Sequence, residues 1–194
     1  MKLVYIHGAS ATADSFNYIR DHIPHDDMVI EYDSANGFNN NLAYMKELLS
    51  EVRDIFFIAH SLGGIYAIHL AHHFTESVMG AVTISTPYGG SKSADYAKFF
   101  LPFSRLLRDI GPHSDPMVLA DKIKITHPWT NIVTTSGASP FMVEPNDGVV
   151  TLDSMRKHHV DMTLVDLDHN HYEVVMSMKT INIIKDKITL VKKL

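Results

Sequence analysis

The sequence predicts an α/β fold: a trimmed, mostly parallel sheet of about six strands with helices on both faces. Three observations carry this expectation. Short, continuously apolar runs alternate with segments of helical spacing along most of the chain, as expected for strands buried on both faces. The run Asp54–Ala59 passes into an apolar helix through a turn of very few residues. The 194 residues, 45% hydrophobic and 20% charged, suit one domain with a substantial core.

Each element follows from its own residues. Lys2–Ile6 reads as a buried strand, and Thr12–His22 as a helix with Asp14 in its first turn, where an acid favours the helix dipole. Met28–Tyr32 reads as a strand, Asn40–Arg53 as a helix and Asp54–Ala59 as the central strand. Leu62–Phe74 is the helix after the turn, and Val78–Ser85 the next strand. Trp129–Ser136 and Asp161–Leu167 add two strands, and a helix from Tyr172 to Lys185 closes the series. The alternation breaks over residues 86–125. Thr86-Pro-Tyr-Gly-Gly-Ser91 is a loop by composition, Ser93–Phe100 and Pro102–Asp109 read as short helices, and Gly111–Pro116 as a turn. Phe99, Phe103, Leu106 and Leu107 form an apolar stripe. It serves either a helix packed on the sheet or a small cap, residues 92–125, inserted into an otherwise single domain.

Composition narrows the function classes. Net charge is −5, with 17 Lys and Arg against 22 Asp and Glu and no basic block, which argues against nucleic acid as a partner. With no cysteine there are neither disulfides nor thiolate metal sites. The first strand starts at Lys2, leaving no room for a signal peptide, and no apolar run approaches the ~18 residues of a membrane span. A cytoplasmic protein without membrane spans is the expectation.

The chemistry centres on Ala59-x-Ser61-x-Gly63. Small residues two before and two after the serine let strand and helix approach closely enough for a very tight turn. The turn pushes the serine hydroxyl out beside the first amides of a helix. The bare pattern also arises by chance, so its weight comes from the strand and helix that flank it. This is the nucleophile elbow of the α/β-hydrolases, and the chain resembles that superfamily, in particular its small bacterial lipases and esterases. Position 59 is more often glycine there, but alanine occurs in small bacterial lipases, so Ser61 keeps its assignment as nucleophile.

The resemblance implies a Ser, acid, His order along the chain. Glu144-Pro-Asn-Asp147-Gly-Val-Val150 resembles the lipase acid motif and nominates Asp147. The competing role for Asp147 is to cap a helix over Gly148–Lys157, and Glu144 and Asp153 are weaker acid candidates. The base belongs in Asp168-His-Asn-His171-Tyr-Glu-Val174, where position alone does not separate His169 from His171. The lipase pattern His-x-acid-Val selects His171. His169-x-His171 with Asp168 could also suggest a metal site, but no third ligand at helix spacing supports one, and neither metal nor cofactor is expected. The resemblance further implies oxyanion donors in the amides of Leu62 and, from His7-Gly8-Ala9, of Ala9. His7 and His60 are expected to serve packing and hydrogen bonding. Ser85-Thr-Pro-Tyr88-Gly-Gly-Ser91 resembles the Ser-Thr-Pro-His-x-Gly-Ser loop of lipases, with tyrosine for histidine, and places Tyr88 with Phe99 and Phe103 as candidate substrate contacts. The activity implied is hydrolysis of small-molecule carboxylic esters through an acyl-enzyme. Thioesterase, amidase and acyltransferase chemistry would use the same residues, and a non-catalytic ligand-binding protein is the alternative from another class.

Overall fold

The computed structural model describes residues 1–90, 109, 111–139, 142–158 and 160–193. Six strands among them form one parallel sheet: β1 Lys2–Ile6, β2 Asp27–Ile30, β3 Ile55–His60, β4 Val78–Ile84, β5 Trp129–Thr134 and β6 Thr163–Leu167. Their order is β2-β1-β3-β4-β5-β6, and all five neighbouring pairs are parallel. The α-helices lying within the described residues are α1 Asn17–His22, α2 Phe38–Leu49, α3 Leu62–His73, α4 Asp115–Lys122, α5 Leu152–Met155 and α6 Met178–Val191.

Period-two alternation divides the core into two layers. Val4, Ile6, Ile55 and Phe57 point to the face covered by α2, α3 and α4, against Met45, Ile65, Leu70 and Met117. Leu3, Tyr5, Phe56 and Ile58 point to the other face, against Ile19 of α1 and Ile181, Ile184 and Ile188 of α6. Burial of each such side chain stabilises the fold by about 2 kcal/mol. Both layers touch β3, whose six residues are all buried.

The chain steps from β1 outward to β2, then crosses back over β1 to β3 and continues the other way to β6. The order therefore reverses between β1 and β3. In an open α/β sheet the carboxyl ends flanking such a reversal form a natural crevice. Residues 7–9 and Ser61 follow those two strands.

Several boundaries differ from expectation. A turn was expected at Gly111–Pro116, and the bond from the Ser114 amide to the Gly111 carbonyl closes one, but α4 then runs to Lys122. Pro116 lies in its first turn, where a missing N–H costs nothing. Met117 and Ala120 put α4 into the core beside α3, and His69 Nε2 meets the Pro116 carbonyl at 2.9 Å. The expected helices at 93–109 and their stripe, including Phe99 and Phe103, lie outside the described residues apart from Asp109. The Asp109 carboxylate accepts from the Phe38 amide at the start of α2 at 2.7 Å. The last helix begins later and ends later than expected: Glu173–Met176 is a short 3-10 turn, and α6 starts afresh from Ser177, whose hydroxyl accepts from the Lys179 amide.

Ion pairs sit on both outermost strands. Arg20 grips Asp27 of β2 through Nε and Nη2 at 2.8 and 3.2 Å, and Arg156 Nη2 meets both Asp166 oxygens of β6 at 2.8 and 2.7 Å. Among the described residues no helix is long and apolar enough to cross a membrane.

Candidate active site

Ser61 stands between β3 and α3 at φ 52° and ψ −123°, a backbone state that L residues rarely adopt. Its amide donates to the Ile84 carbonyl at the end of β4 at 2.8 Å, and its carbonyl accepts from Gly64 at 3.0 Å. Glycine at 63 is what lets α3 begin here. A Cβ there would lie 2.1 Å from the Ile6 carbonyl oxygen and 2.7 Å from that of His7. Both are main-chain atoms of β1 and its loop, so little can yield. Gly63→Ala is expected to cost about 3 kcal/mol and to lower the melting temperature by roughly 10 °C; a thermal melt within a few degrees of the parent would contradict this account of the turn.

The loop after β1 reaches the same place. A Cβ on Gly8 would meet the Ser61 Cβ at 3.1 Å and His60 Nδ1 at 3.2 Å, so the loop packs closely against these two side chains. Among the described residues neither the Ala9 nor the Leu62 amide donates a hydrogen bond to a protein acceptor. The loop is braced by His7, whose ring stacks on Tyr32 with centroids 4.3 Å apart, while the Tyr32 hydroxyl donates to the His7 carbonyl at 2.9 Å.

Asp147 and His171 meet directly. Asp147 Oδ2 lies 2.8 Å from His171 Nδ1, with both side chains buried, and the His171 amide donates to the Asp147 carbonyl at 3.1 Å. The other carboxylate oxygen accepts from the amides of Val149 and Val150 at 3.0 and 2.7 Å. Gly148, at φ 98°, makes the bend these amides need. Gly137 gives the loop room: a Cβ there would fall 2.0 Å from the Asp147 carbonyl carbon. The helix expected over 148–157 reduces to α5, and its cap is the Thr151 hydroxyl, accepting from Ser154, rather than Asp147. Burial alone would raise the Asp147 carboxyl, yet His171, the Thr134 hydroxyl and the Val150 amide hold it below its ordinary value.

His60 ties this pair to the turn at Ser61. Its Nε2 donates to the His171 carbonyl at 2.9 Å, and the two rings sit 4.7 Å apart. Burial, reinforced by the neighbouring His171 ring, pushes His60 down to about 3. In the unfolded chain it protonates near 6.5. Between these limits the unfolded state binds more protons, so this residue makes stability fall as pH drops from about 6.5 towards 3. In His60→Gln, whose amide can still donate to the carbonyl, the melting temperature is expected to depend less on pH across that window. An unchanged slope would remove His60 as its source.

The remaining nominees lie elsewhere. His169 contributes backbone: its amide donates to Leu167 and its carbonyl accepts from Ser136, while its buried Nδ1 has no partner among the described residues. Asp153 is exposed on α5, and the Glu144 carbonyl accepts from the Asn146 side chain. Tyr88, expected at the substrate, is a core residue. It is 1% exposed, and its hydroxyl bonds Thr83 Oγ1 and Trp129 Nε1, each at 2.9 Å. Over Ser85–Gly90 the loop folds inward, so its tyrosine packs into the core layer with Trp129 of β5. Sequence reading missed Thr134, at the end of β5, whose hydroxyl donates to Asp147 Oδ2 at 2.5 Å. It also missed Ser85, 2.9 Å from Thr134 Oγ1. Neither belongs to a motif that signals such a contact. Hydrogen bonds among the described residues thus join Ser85, Thr134, Asp147, His171 and His60, and none of them includes the Ser61 hydroxyl.

No protein-family model matches the chain, and no curated protein matches it. Solved structures do. A metagenomic carboxyl esterase is similar at a TM-score of 0.78 and 15% identity, covering 100% of this chain and 76% of its own. The mature lipase of Bacillus licheniformis is similar at 0.70 and 15%, covering 98% and 91%. The monoacylglycerol lipase of Paleococcus ferrophilus is similar at 0.67 and 14%, covering 98% and 92%. Together with the six-stranded parallel sheet and its strand order, these likenesses give the chain the α/β-hydrolase fold.

Proposed function

We propose that the protein is a serine hydrolase that cleaves carboxylic esters of small molecules through an acyl-enzyme. The observation that carries this reading is the buried Asp147–His171 pair, strapped to His60, the residue beside Ser61. Asp147, as carboxylate, accepts the Nδ1 proton of His171. That fixes the tautomer and leaves Nε2 free to take a proton. Ser61 Oγ attacks the ester carbonyl while its proton passes to His171 Nε2. The amides of Ala9 and Leu62 hold the oxyanion, and the imidazolium then protonates the departing alkoxide. Water repeats the sequence on the acyl-enzyme and frees the acid. The contact between Ser61 and His171 closes on substrate binding, as catalytic hydrogen bonds often tighten only in the complex. The structural likenesses to esterases and lipases favour esters as the substrate class.

The direct test is labelling with a fluorophosphonate, followed by peptide mapping and by turnover of p-nitrophenyl esters. Modification at Ser61 with matching loss of turnover is expected. Folded protein that neither labels nor turns over esters would instead point to a ligand-binding role on the same fold.

A further inference from the structure

We propose that Ser85 and Thr134 are positioning residues for Asp147, forming a chain of two hydroxyls whose protons both run towards the carboxylate. The inference rests on the reading of Asp147 and His171 as acid and base. The proton directions follow from donor and acceptor capacity. Thr134 Oγ1 has one proton, and Asp147 Oδ2 at 2.5 Å, as an ionised carboxylate, can only accept. Met155 Sδ at 3.5 Å is the weaker competitor for that proton. With its proton committed, the Thr134 oxygen is left to accept, so Ser85 Oγ at 2.9 Å must donate to it. Both residues are fully buried, so water does not compete.

Ser85 is held for this task. It has φ 52°, close to the value at Ser61, and its amide is pinned to the Ile132 carbonyl at 2.9 Å. The carboxylate therefore receives four donors: Val149 and Val150 on one oxygen, Thr134 and His171 on the other. The Thr134 hydroxyl fixes where Oδ2 points and shares its negative charge with the imidazole. Among the described residues the other ionisable rings facing His171 are His60 at 4.7 Å and Tyr172 at 5.4 Å, and neither bonds the carboxylate.

Thr134→Val keeps the volume and deletes the hydroxyl. Charge on Oδ2 then falls more fully on His171 and favours its protonated form. The acid limb of kcat/KM is expected to move up by about half a pH unit, and kcat to fall about tenfold, the scale of one hydrogen bond to a charged group. KM should stay within a factor of about two. Thr134→Ser should restore both, and Ser85→Ala should move both the same way by less. Titrating the His171 ring by NMR reads the same coupling without turnover. If no form of the enzyme hydrolyses esters but the ring titration still moves in the valine variant and returns in the serine variant, the positioning role stands and the esterase reading fails. A Thr134→Val protein that titrates like the parent, or a Thr134→Ser protein that fails to recover, overturns the proposal. Should the valine variant not fold, Ser85→Ala decides by the same titration.

Discussion

Ser61→Ala is expected to reduce ester turnover by about 10⁶-fold in kcat, leaving only the residual acceleration of binding and oxyanion stabilisation. The methyl group cannot form the acyl bond, and His171 is left with no hydroxyl to deprotonate. The fold should survive. Alanine keeps the serine's Cβ and adopts φ 52° at comparable cost, and the bonds of residue 61 to Ile84 and Gly64 are made by main-chain atoms. Circular dichroism melts and turnover of a p-nitrophenyl ester on one preparation separate the two effects. Native melting with full activity would end the assignment of Ser61 as nucleophile.

Asp147→Asn should lower kcat by about 10⁴-fold, the scale seen when a serine hydrolase loses the acid that sets its tautomer. The residue sits among four donors, and an amide can satisfy only half of that arrangement. Its oxygen can stay on the Val149 and Val150 amides, which turns its NH₂ towards Thr134 and His171. That NH₂ donates to Nδ1, so the imidazole proton moves to Nε2, the atom required to accept one from Ser61. The loss should appear in kcat with little change in KM, because the acid touches the base and not the ester. A variant within tenfold of the parent across pH would remove Asp147 from the mechanism.

The sequence made some of this legible and hid the rest for physical reasons. β1 and β3 are apolar at consecutive positions because helices cover both sheet faces, and that pattern is local. α4 was hidden because Gly111–Pro116 carries every sign of a turn, although Ser114-Asp-Pro116 is also how helices begin. The nominated positions 61, 147 and 171 stand out by their order along the chain and by the short motifs around them. Ser85 opens a lipase-like motif and Thr134 belongs to none, but neither signals their contact, which exists only because β4 and β5 end side by side. Tyr88 misled for the same reason: its loop has an exposed composition, while its ring depends on Trp129 from a strand 41 residues away.

Among the described residues the sheet does not close on itself, which leaves β2 and β6 as its borders. A border strand offers unpaired amides and carbonyls on which a strand from another copy could dock. Here each border carries an aspartate held by an arginine, Asp27 by Arg20 and Asp166 by Arg156. Charged side chains on a border strand disfavour its pairing with a second copy, so these two ion pairs work against edge-to-edge stacking.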